Sequence, residues 1–144
     1  MKQSVQFWDL VSTFRRKYRE ACSPLYRKYG LKQNEFDVLM FLHNNPEADT
    51  AARMIEQRGF SKSQVSSSVS HLMEKGLLEA SYHNDNRKSI HLCPSASAEQ
   101  IVTEGKHMQD LFLQKLLQGI PEAEINAAAD MMQTMLANMK EMKA

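Results

Sequence analysis

The chain lacks the sequence features that mark membrane and disulfide-rich secreted proteins. No run comes near the roughly 18 apolar residues that a membrane-spanning helix needs, so we expect no membrane association. The amino terminus has no apolar stretch suited to a signal peptide, and we therefore expect a cytoplasmic protein. Cys22 and Cys93 are the only cysteines, too few for a disulfide framework, and they form no CxxC motif.

Catalytic and metal-binding signatures are also missing. The five histidines show no local spacing suited to a metal site or a catalytic triad. They are His43, His71, His83, His91 and His107. We therefore expect no enzyme activity, no metal and no cofactor.

Charge is nearly balanced in total but uneven along the chain. The 144 residues carry a net charge of +1, and 42% apolar with 24% charged residues is typical of one globular domain. Residues 15–32 hold seven basic side chains against one acid, whereas residues 33–49 hold four acids and no lysine or arginine. A nucleic-acid-binding protein needs one cationic face rather than a high total charge, so this balance is compatible with DNA binding. A solvated surface with no binding role would show the same uneven distribution of charge.

Apolar spacing predicts a mainly helical chain. Apolar residues three or four apart predict a long first helix over residues 7–29, with Pro24 as a possible kink. Further helices are predicted at Gln33–Asn44, Thr50–Arg58, Ser61–Lys75, Ser95–Gln118 and Pro121–Met142. Two short strands, Leu77–His83 and Lys88–Leu92, flank the turn-forming residues 84–86.

The helix predicted to begin at Ser61 is the most informative element. Ser61 and Gln64 have the spacing of a capping box, and Gly76 suits a left-handed stop. Its expected inner stripe consists of Val65, Val69, Leu72 and Met73. Its other side carries Lys62, Ser63, Ser66, Ser67, Ser70 and His71. Because serines are indifferent helix formers, a serine-rich face indicates a contact surface rather than a stabilising one.

A short helix, a break at Gly59 and a second helix form a helix-turn-helix pattern. With the segment 74–79 and a hairpin bearing Asp85 and Arg87, this pattern resembles the MarR family of bacterial transcription regulators. The resemblance runs from about Phe7 to Met142. It implies a winged helix-turn-helix fold, mainly α with a small β-hairpin wing. It also implies a single domain over 1–144, with a DNA-binding lobe at 31–93 and dimerisation helices at 1–30 and 95–144.

Two positions depart from the family pattern. The wing signature is Asp-x-Arg, three residues, then Leu-x-Leu-Thr, but here Ile90 and Leu92 come one residue early. Cys93 and Pro94 stand where leucine and threonine are expected, which leaves the end of the second strand open. In the recognition helix, Ser67 occupies the place where many relatives carry arginine.

The resemblance implies a repressor that binds a palindromic operator in double-stranded DNA as a homodimer. The expected DNA contacts are Lys62, Ser63, Gln64, Ser66, Ser67 and Ser70 in the major groove, Arg87 in the minor groove and Lys88 at a phosphate. Asp85 is expected to hold Arg87 or the turn. Gln64 has a competing role in the cap.

The terminal helices carry apolar stripes that a compact winged helix has little room to bury. The last helix presents Ile125, Ala128, Met132, Met135, Leu136 and Met139, and the preceding one Ile101, Met108, Leu111, Phe112 and Leu116. In MarR relatives the first and last helices form the dimer interface. Packing of all three helices within one chain is the alternative.

Regulation by a small-molecule effector is implied by the resemblance. Tyr18, Tyr26, Phe36 and His43 are the expected lining of an effector cleft. Metal sensing through His43 and His107 is a variant, although Leu111 stands where such a sensor carries another histidine. Redox sensing through Cys22 is another variant, and a buried inert cysteine is favoured over it. A winged helix that binds protein instead of DNA is the rival from another class.

Overall fold

The computed structural model describes the backbone of residues 2–83 and 86–143, and the side chains of residues 5–82 and 89–143. The described residues form six α-helices and one antiparallel hairpin, so the predicted fold class is confirmed. The elements are α1 (Lys2–Lys28), α2 (Gln33–Asn44), α3 (Ala51–Arg58), α4 (Lys62–Glu74), β1 (Leu78–His83), β2 (Asn86–Pro94), α5 (Glu99–Leu116) and α6 (Glu122–Glu141). A 3-10 turn, Ala96–Ala98, precedes α5.

The chain divides into two compact units, Met1–Gln109 and Asp110–Ala144, and the boundary falls inside α5. The first unit holds α1 to α4, the hairpin and most of α5. The second unit holds the end of α5 and all of α6, a helix with no buried residue among those described. Within the described residues, no helix is both long and apolar enough to cross a membrane.

The core of the first unit is built around α2. This helix buries Phe36 and every residue from Val38 to Leu42, and it also buries the charged Glu35. A helix that is apolar on nearly all sides must be surrounded by others. The surrounding core side chains are Cys22 from α1, Met54 from α3, Val65 and Leu72 from α4, Leu92 from β2, and Ile101 and Val102 from α5.

The approach of α5 to α2 depends on a glycine. A Cβ at Gly105 would lie 2.5 Å from Met40 Sδ and 3.2 Å from Phe36 Cζ. Since neither buried neighbour has open space around it, the missing side chain at 105 lets α5 lie against the most buried part of α2.

Local signals predict the ends of α3 and α4 well. Ser61 Oγ accepts a hydrogen bond from the Gln64 N–H, and Gln64 Oε1 accepts one from the Ser61 N–H, each at 3.1 Å. This is the predicted capping box. Thr50 caps α3 by accepting a hydrogen bond from the Arg53 N–H. Gly76 has a φ of +72°, which only glycine adopts without strain.

The structure corrects the predicted inner stripe of α4. Val65 and Leu72 are fully buried as expected, but Met73 is 42% exposed and Ser68 is only 4% exposed. Val65 and Leu72 lie seven residues apart and define the centre of the buried face. Ser68 lies roughly 60° to one side of Val65 and Met73 roughly 80° to the other, at 100° per residue. The buried face is therefore rotated toward Ser68, and this serine takes the place of the expected Met73 on it.

Other boundaries differ by a few residues. α1 begins at Lys2 and includes Pro24 within its length. β2 begins at Asn86, two residues before the predicted strand, and ends at Pro94, two residues after it. Its end is longer because Cys93 pairs with Glu79 and Pro94 pairs with Leu78. The departure from the family pattern at Cys93 therefore leaves the strand intact.

Candidate nucleic-acid interface

The outer face of α4 is a continuous polar surface. All six residues predicted to contact bases from this helix are exposed: Lys62, Ser63, Gln64, Ser66, Ser67 and Ser70. The opposite face is anchored in the core by Val65 and Leu72. Four of the six are serines, whose hydroxyls both donate and accept hydrogen bonds. The surface can therefore pair with either type of polar group on a base edge or with a phosphate.

Gln64 is only partly available for such contacts. Its Oε1 accepts from the Ser61 N–H in the cap, so its side-chain amide N–H groups are the remaining donors. A bidentate contact to adenine uses both the oxygen and the nitrogen of the amide. The cap at Ser61 thus competes with base pairing by Gln64, as its position in the sequence predicts.

The hairpin is tied to the segment that precedes α3. The backbone carbonyl of Asp49 accepts from the Leu92 N–H at 2.8 Å, and Asp49 Oδ1 lies 2.8 Å from His91 Nδ1. Both side chains are mostly buried. This link holds the base of the wing against the start of the helix-turn-helix. It escaped prediction because its partners are 42 residues apart and no local pattern joins them.

The predicted wing contacts fall at the limit of the described chain. Asp85 lies outside the described residues. Arg87 and Lys88 belong to β2, but their side chains lie outside the described part. Nearer the base of the hairpin, β1 and β2 pair regularly from Leu78↔Pro94 to Ser81↔His91, and the register is irregular between Ser81 and His83.

A buried carboxylate joins the end of α4 to α2. Glu35 is 2% exposed, and its Oε1 accepts hydrogen bonds from the Lys32 N–H at 3.1 Å and from Lys75 Nζ at 3.2 Å. Lys75 Nζ also donates to the Gly30 carbonyl at 3.0 Å. Burying an unpaired carboxylate costs several kcal/mol, so the lysine is what makes Glu35 tolerable here. The local sequence offers only a glutamate in the first turn of α2, which does not reveal the lysine 40 residues away.

The four residues expected to line an effector cleft have different surroundings. Phe36 is fully buried in the core, and Tyr18 and Tyr26 pack partly buried against it. His43 is exposed. The Tyr18 hydroxyl accepts from Gln109 Nε2 at 2.7 Å, and Asn44 Nδ2 donates to Gln109 Oε1 at 2.9 Å. Phe36 is therefore buried in the core, against which the two tyrosines pack, and it does not lie on an open surface.

A concavity of about 440 Å³ lies elsewhere. It is lined by Ala96, Ser97, Glu99, Gln100, Thr103 and Glu104. Glu104 accepts from Lys28 Nζ at 2.9 Å and from the Tyr29 hydroxyl at 2.7 Å, and these bonds lower the pKa of its carboxyl. None of the four expected effector residues lines it.

Cys22 lies in a part of the core that holds its thiol protonated. Its side chain is fully buried, and burial raises its pKa to about 11. Burial also raises the pKa of the neighbouring Tyr18 to about 12. On α2, burial raises the pKa of Asp37, although Gln33 Nε2 donates to this carboxyl at 3.0 Å. A thiol with a raised pKa is a poor nucleophile, which favours the inert role for Cys22 over redox sensing.

The described part of the chain contains no cluster of side chains that could bind a metal in the metal-sensing variant. No three histidine, cysteine, aspartate or glutamate side chains come together there as metal ligands. His43 and His107, the candidate sensor residues, are both exposed.

Comparison with known proteins confirms the resemblance to the MarR family. The sequence profile of that family matches residues 29–86, which span the helix-turn-helix and the first wing strand. No curated protein sequence matches the chain.

Solved structures extend the resemblance in fold over about nine-tenths of the chain. MepR of S. aureus in its DNA-binding conformation has a TM-score of 0.80 at 13% identity, covering 92% of this chain and 98% of that one. The S. aureus MepR–DNA complex has a TM-score of 0.73 at 14% identity, covering 90% and 94%. A MarR-family regulator from Listeria monocytogenes in complex with a 26mer DNA has a TM-score of 0.75 at 18% identity, covering 90% and 87%. The chain is therefore similar to the MarR family in sequence profile over residues 29–86, and it shares the fold of solved MarR-family structures over about nine-tenths of its length.

The inert role of Cys22 predicts a large contrast in thiol reactivity. At pH 8, a pKa of about 11 leaves roughly one thiol in a thousand ionised, and burial blocks access to it. In the Cys93→Ser variant, we expect Cys22 to react with a thiol reagent very slowly when folded and quickly in denaturant. The Cys22→Ser variant, which keeps the exposed Cys93, is the matched control and should react quickly in both conditions. Fast reaction of folded Cys22 would instead favour redox sensing.

Proposed function

We propose that this MarR-family protein is a sequence-specific transcriptional repressor that binds a palindromic operator as a homodimer. The observation that carries the proposal is the exposed polar face of α4. Its opposite side is buried in the core and its start is fixed by a capping box. A helix presented in this way, beside a hairpin, matches the arrangement in which helix-turn-helix proteins read DNA.

In this mechanism α4 enters the major groove with its amino end first, where base edges carry a sequence code. The hydroxyls of its serines and the ammonium of Lys62 contact bases and phosphates. Arg87 at the wing enters the neighbouring minor groove, where narrow A·T tracts concentrate negative potential. Lys88 contacts a phosphate, which positions the wing without reading sequence.

A homodimer is supported by exposed apolar surface on two helices. In the first unit, the start of α1 exposes Phe7, Trp8 and Leu10. In the second unit, α6 exposes the side chains Met131, Met132, Met135, Leu136 and Met139. Large apolar side chains exposed along a helix in this way mark an interaction site. Two copies joined through these helices would place their recognition helices about 34 Å apart, one turn of DNA.

Effector control is the second part of the proposal. The half-buried Tyr18 and Tyr26, which pack against the core of α2, are the side chains best placed to meet an aromatic or anionic molecule. Binding at this place would change the spacing of the two recognition helices and release DNA. The exposed His43 would lie at the solvent side of this effector site, and the buried Phe36 would support the two tyrosines by packing beneath them.

A protein-binding winged helix is the second candidate function. It is favoured by large apolar side chains exposed around the wing: Met73 at 42%, Tyr82 at 52% and Ile90 at 45%. Such residues are enriched in the centre of protein interfaces. Salt separates the two candidates, because DNA complexes weaken steeply as salt rises.

The test of the main proposal is binding-site selection from a random duplex pool, followed by fluorescence anisotropy. The DNA upstream of the protein's own gene is included, since many relatives regulate themselves. We expect enrichment of an inverted repeat, tighter binding to it than to a scrambled duplex, and steep loss of affinity between 50 and about 200 mM salt. No enrichment together with no binding at low salt would reject the proposal in favour of the protein-binding candidate.

Arg87→Ala should weaken operator binding. If the guanidinium makes a good minor-groove contact, the loss is about 1–3 kcal/mol, or roughly five- to 150-fold in Kd. Anisotropy titrations at two salt concentrations measure it. Lys106→Ala, which removes the same charge from α5, is the control and should bind as the wild type does. An Arg87→Ala protein with unchanged affinity at both salt concentrations would remove Arg87 from the interface.

Met132→Glu should separate the dimer into single chains. A carboxylate placed in an apolar interface loses hydration without gaining a partner. Sedimentation or light scattering should give about twice 16.5 kDa for the wild type and about 16.5 kDa for the variant. Gln133→Glu adds the same charge at the next exposed position of α6 and is the control. A wild-type protein that sediments as one chain would contradict the proposed assembly.

A further inference from the structure

We propose that Glu35 and Lys75 are positioning residues for DNA recognition: the ion pair between the buried Glu35 and the partly exposed Lys75 sets the angle of α4 against α2 and the end of α1. The proposal rests on the proposed function in one respect, namely that α4 is the helix that reads DNA. The latch, as we name the Glu35–Lys75 pair together with the Gly30 carbonyl, touches no DNA itself.

The geometry of the latch joins three helices at one point. Lys75 is the C-cap residue of α4, and its Nζ reaches Glu35 Oε1 at 3.2 Å and the Gly30 carbonyl at 3.0 Å. Gly30 lies two residues after the end of α1 at Lys28, and Glu35 lies in the first turn of α2. One ammonium group therefore fixes the carboxyl end of α4 to two other helices.

The choice of glutamate at position 35 is not explained by helix capping. The Lys32 N–H donates to Glu35 Oε1, but a glutamine would accept the same bond, since either residue serves at this position of a capping box. A glutamine would also avoid the desolvation of a charge at a site that is 2% exposed. The negative charge is therefore needed for the partner on α4 rather than for α2.

The second oxygen of the carboxylate points to the same helix. Glu35 Oε2 is buried without a hydrogen-bond partner, and His71 Nδ1, one turn before Lys75, lies 3.9 Å from it. Lys75 and His71 lie four residues apart and so share one side of α4. Both oxygens of the Glu35 carboxylate therefore face the same side of α4, and the hydrogen bond from Lys75 is the contact that holds it.

Small changes at the latch are amplified at the other end of α4. Ser63 lies 12 residues before Lys75, about 18 Å along a helix. A tilt of about 5° at the latch would move Ser63 by about 1.5 Å, enough to break a hydrogen bond to a base edge. Phosphate contacts made by long, flexible side chains elsewhere tolerate such a shift. Loss of the latch should therefore reduce sequence preference more than general DNA affinity.

The first test compares operator and scrambled-duplex affinity in the full chain. Glu35→Gln keeps the cap and the shape but removes the charge, and Lys75→Met keeps most of the lysine stem. We expect each to reduce the operator-to-scrambled affinity ratio about tenfold, the double variant to be no worse, and Lys75→Arg to retain most of the preference. Glu20→Gln, which breaks the exposed Lys17–Glu20 pair, is the matched control and should change nothing. An unchanged ratio in Glu35→Gln, with lowered stability alone, would overturn the proposal.

The second test needs no DNA. In a Cys93→Ser background, spin labels at His43→Cys on α2 and Ser66→Cys on α4 report the distance between the two helices. We expect a narrow distance distribution that shifts or broadens in Glu35→Gln and not in Glu20→Gln. An unchanged distribution would overturn the positioning role, whatever DNA does. A changed distribution in a protein that prefers no duplex would leave the latch standing and remove the proposed function.

Discussion

The burial of α2 on nearly every side is the constraint on which the rest of the first unit depends. Phe36, Leu39 and Met40 make this helix the centre of the core, and α1, α3, α4, β2 and α5 are arranged around it. A central helix leaves its first-turn polar groups inside the protein, where each needs a partner. The Glu35 carboxylate accepts the Lys32 N–H at the start of α2, but its own buried charge then needs a partner. Lys75, the C-cap residue of α4, supplies that partner, so the core and α4 are joined through one ion pair.

Local chemistry explains which features the sequence could predict. The capping box at Ser61, the glycine stop at Gly76 and the bounds of α2 follow from residues within four positions of each other. The links that position the interface join residues far apart in sequence. Lys75 meets Glu35 across 40 residues, and His91 meets Asp49 across 42. Spacing along the chain carries no signal for such pairs, so only the fold reveals them.

Periodicity predicted the face of α4 correctly in its centre and wrongly at one edge. Because an apolar residue is normally assigned to the buried side, periodicity places Met73 inward and gives no signal for Ser68. The direction of burial is decided by neighbours, and the Glu35–Lys75 pair draws the other edge of α4 toward α2. Phe36 shows the same limit: its type suits a binding cleft, but its place on a central helix makes it core. The wing contacts at Arg87 and Lys88 remain predictions.

The serine-rich face of α4 and the Glu35–Lys75 pair are linked by one physical requirement, the exact placement of this helix. Lys62 is the only lysine within α4, and the ammonium of Lys75 at its C-cap is paired with Glu35, so α4 offers little charge for phosphates. Base reading would depend on hydroxyls on very short side chains, which reach a base edge only when the backbone itself lies close. Long arginine or glutamine side chains adjust to a misplaced helix, whereas serines cannot. On the proposed function, a recognition surface made of serines would require a helix whose angle is held firmly, and the Glu35–Lys75 ion pair at its far end would supply that restraint.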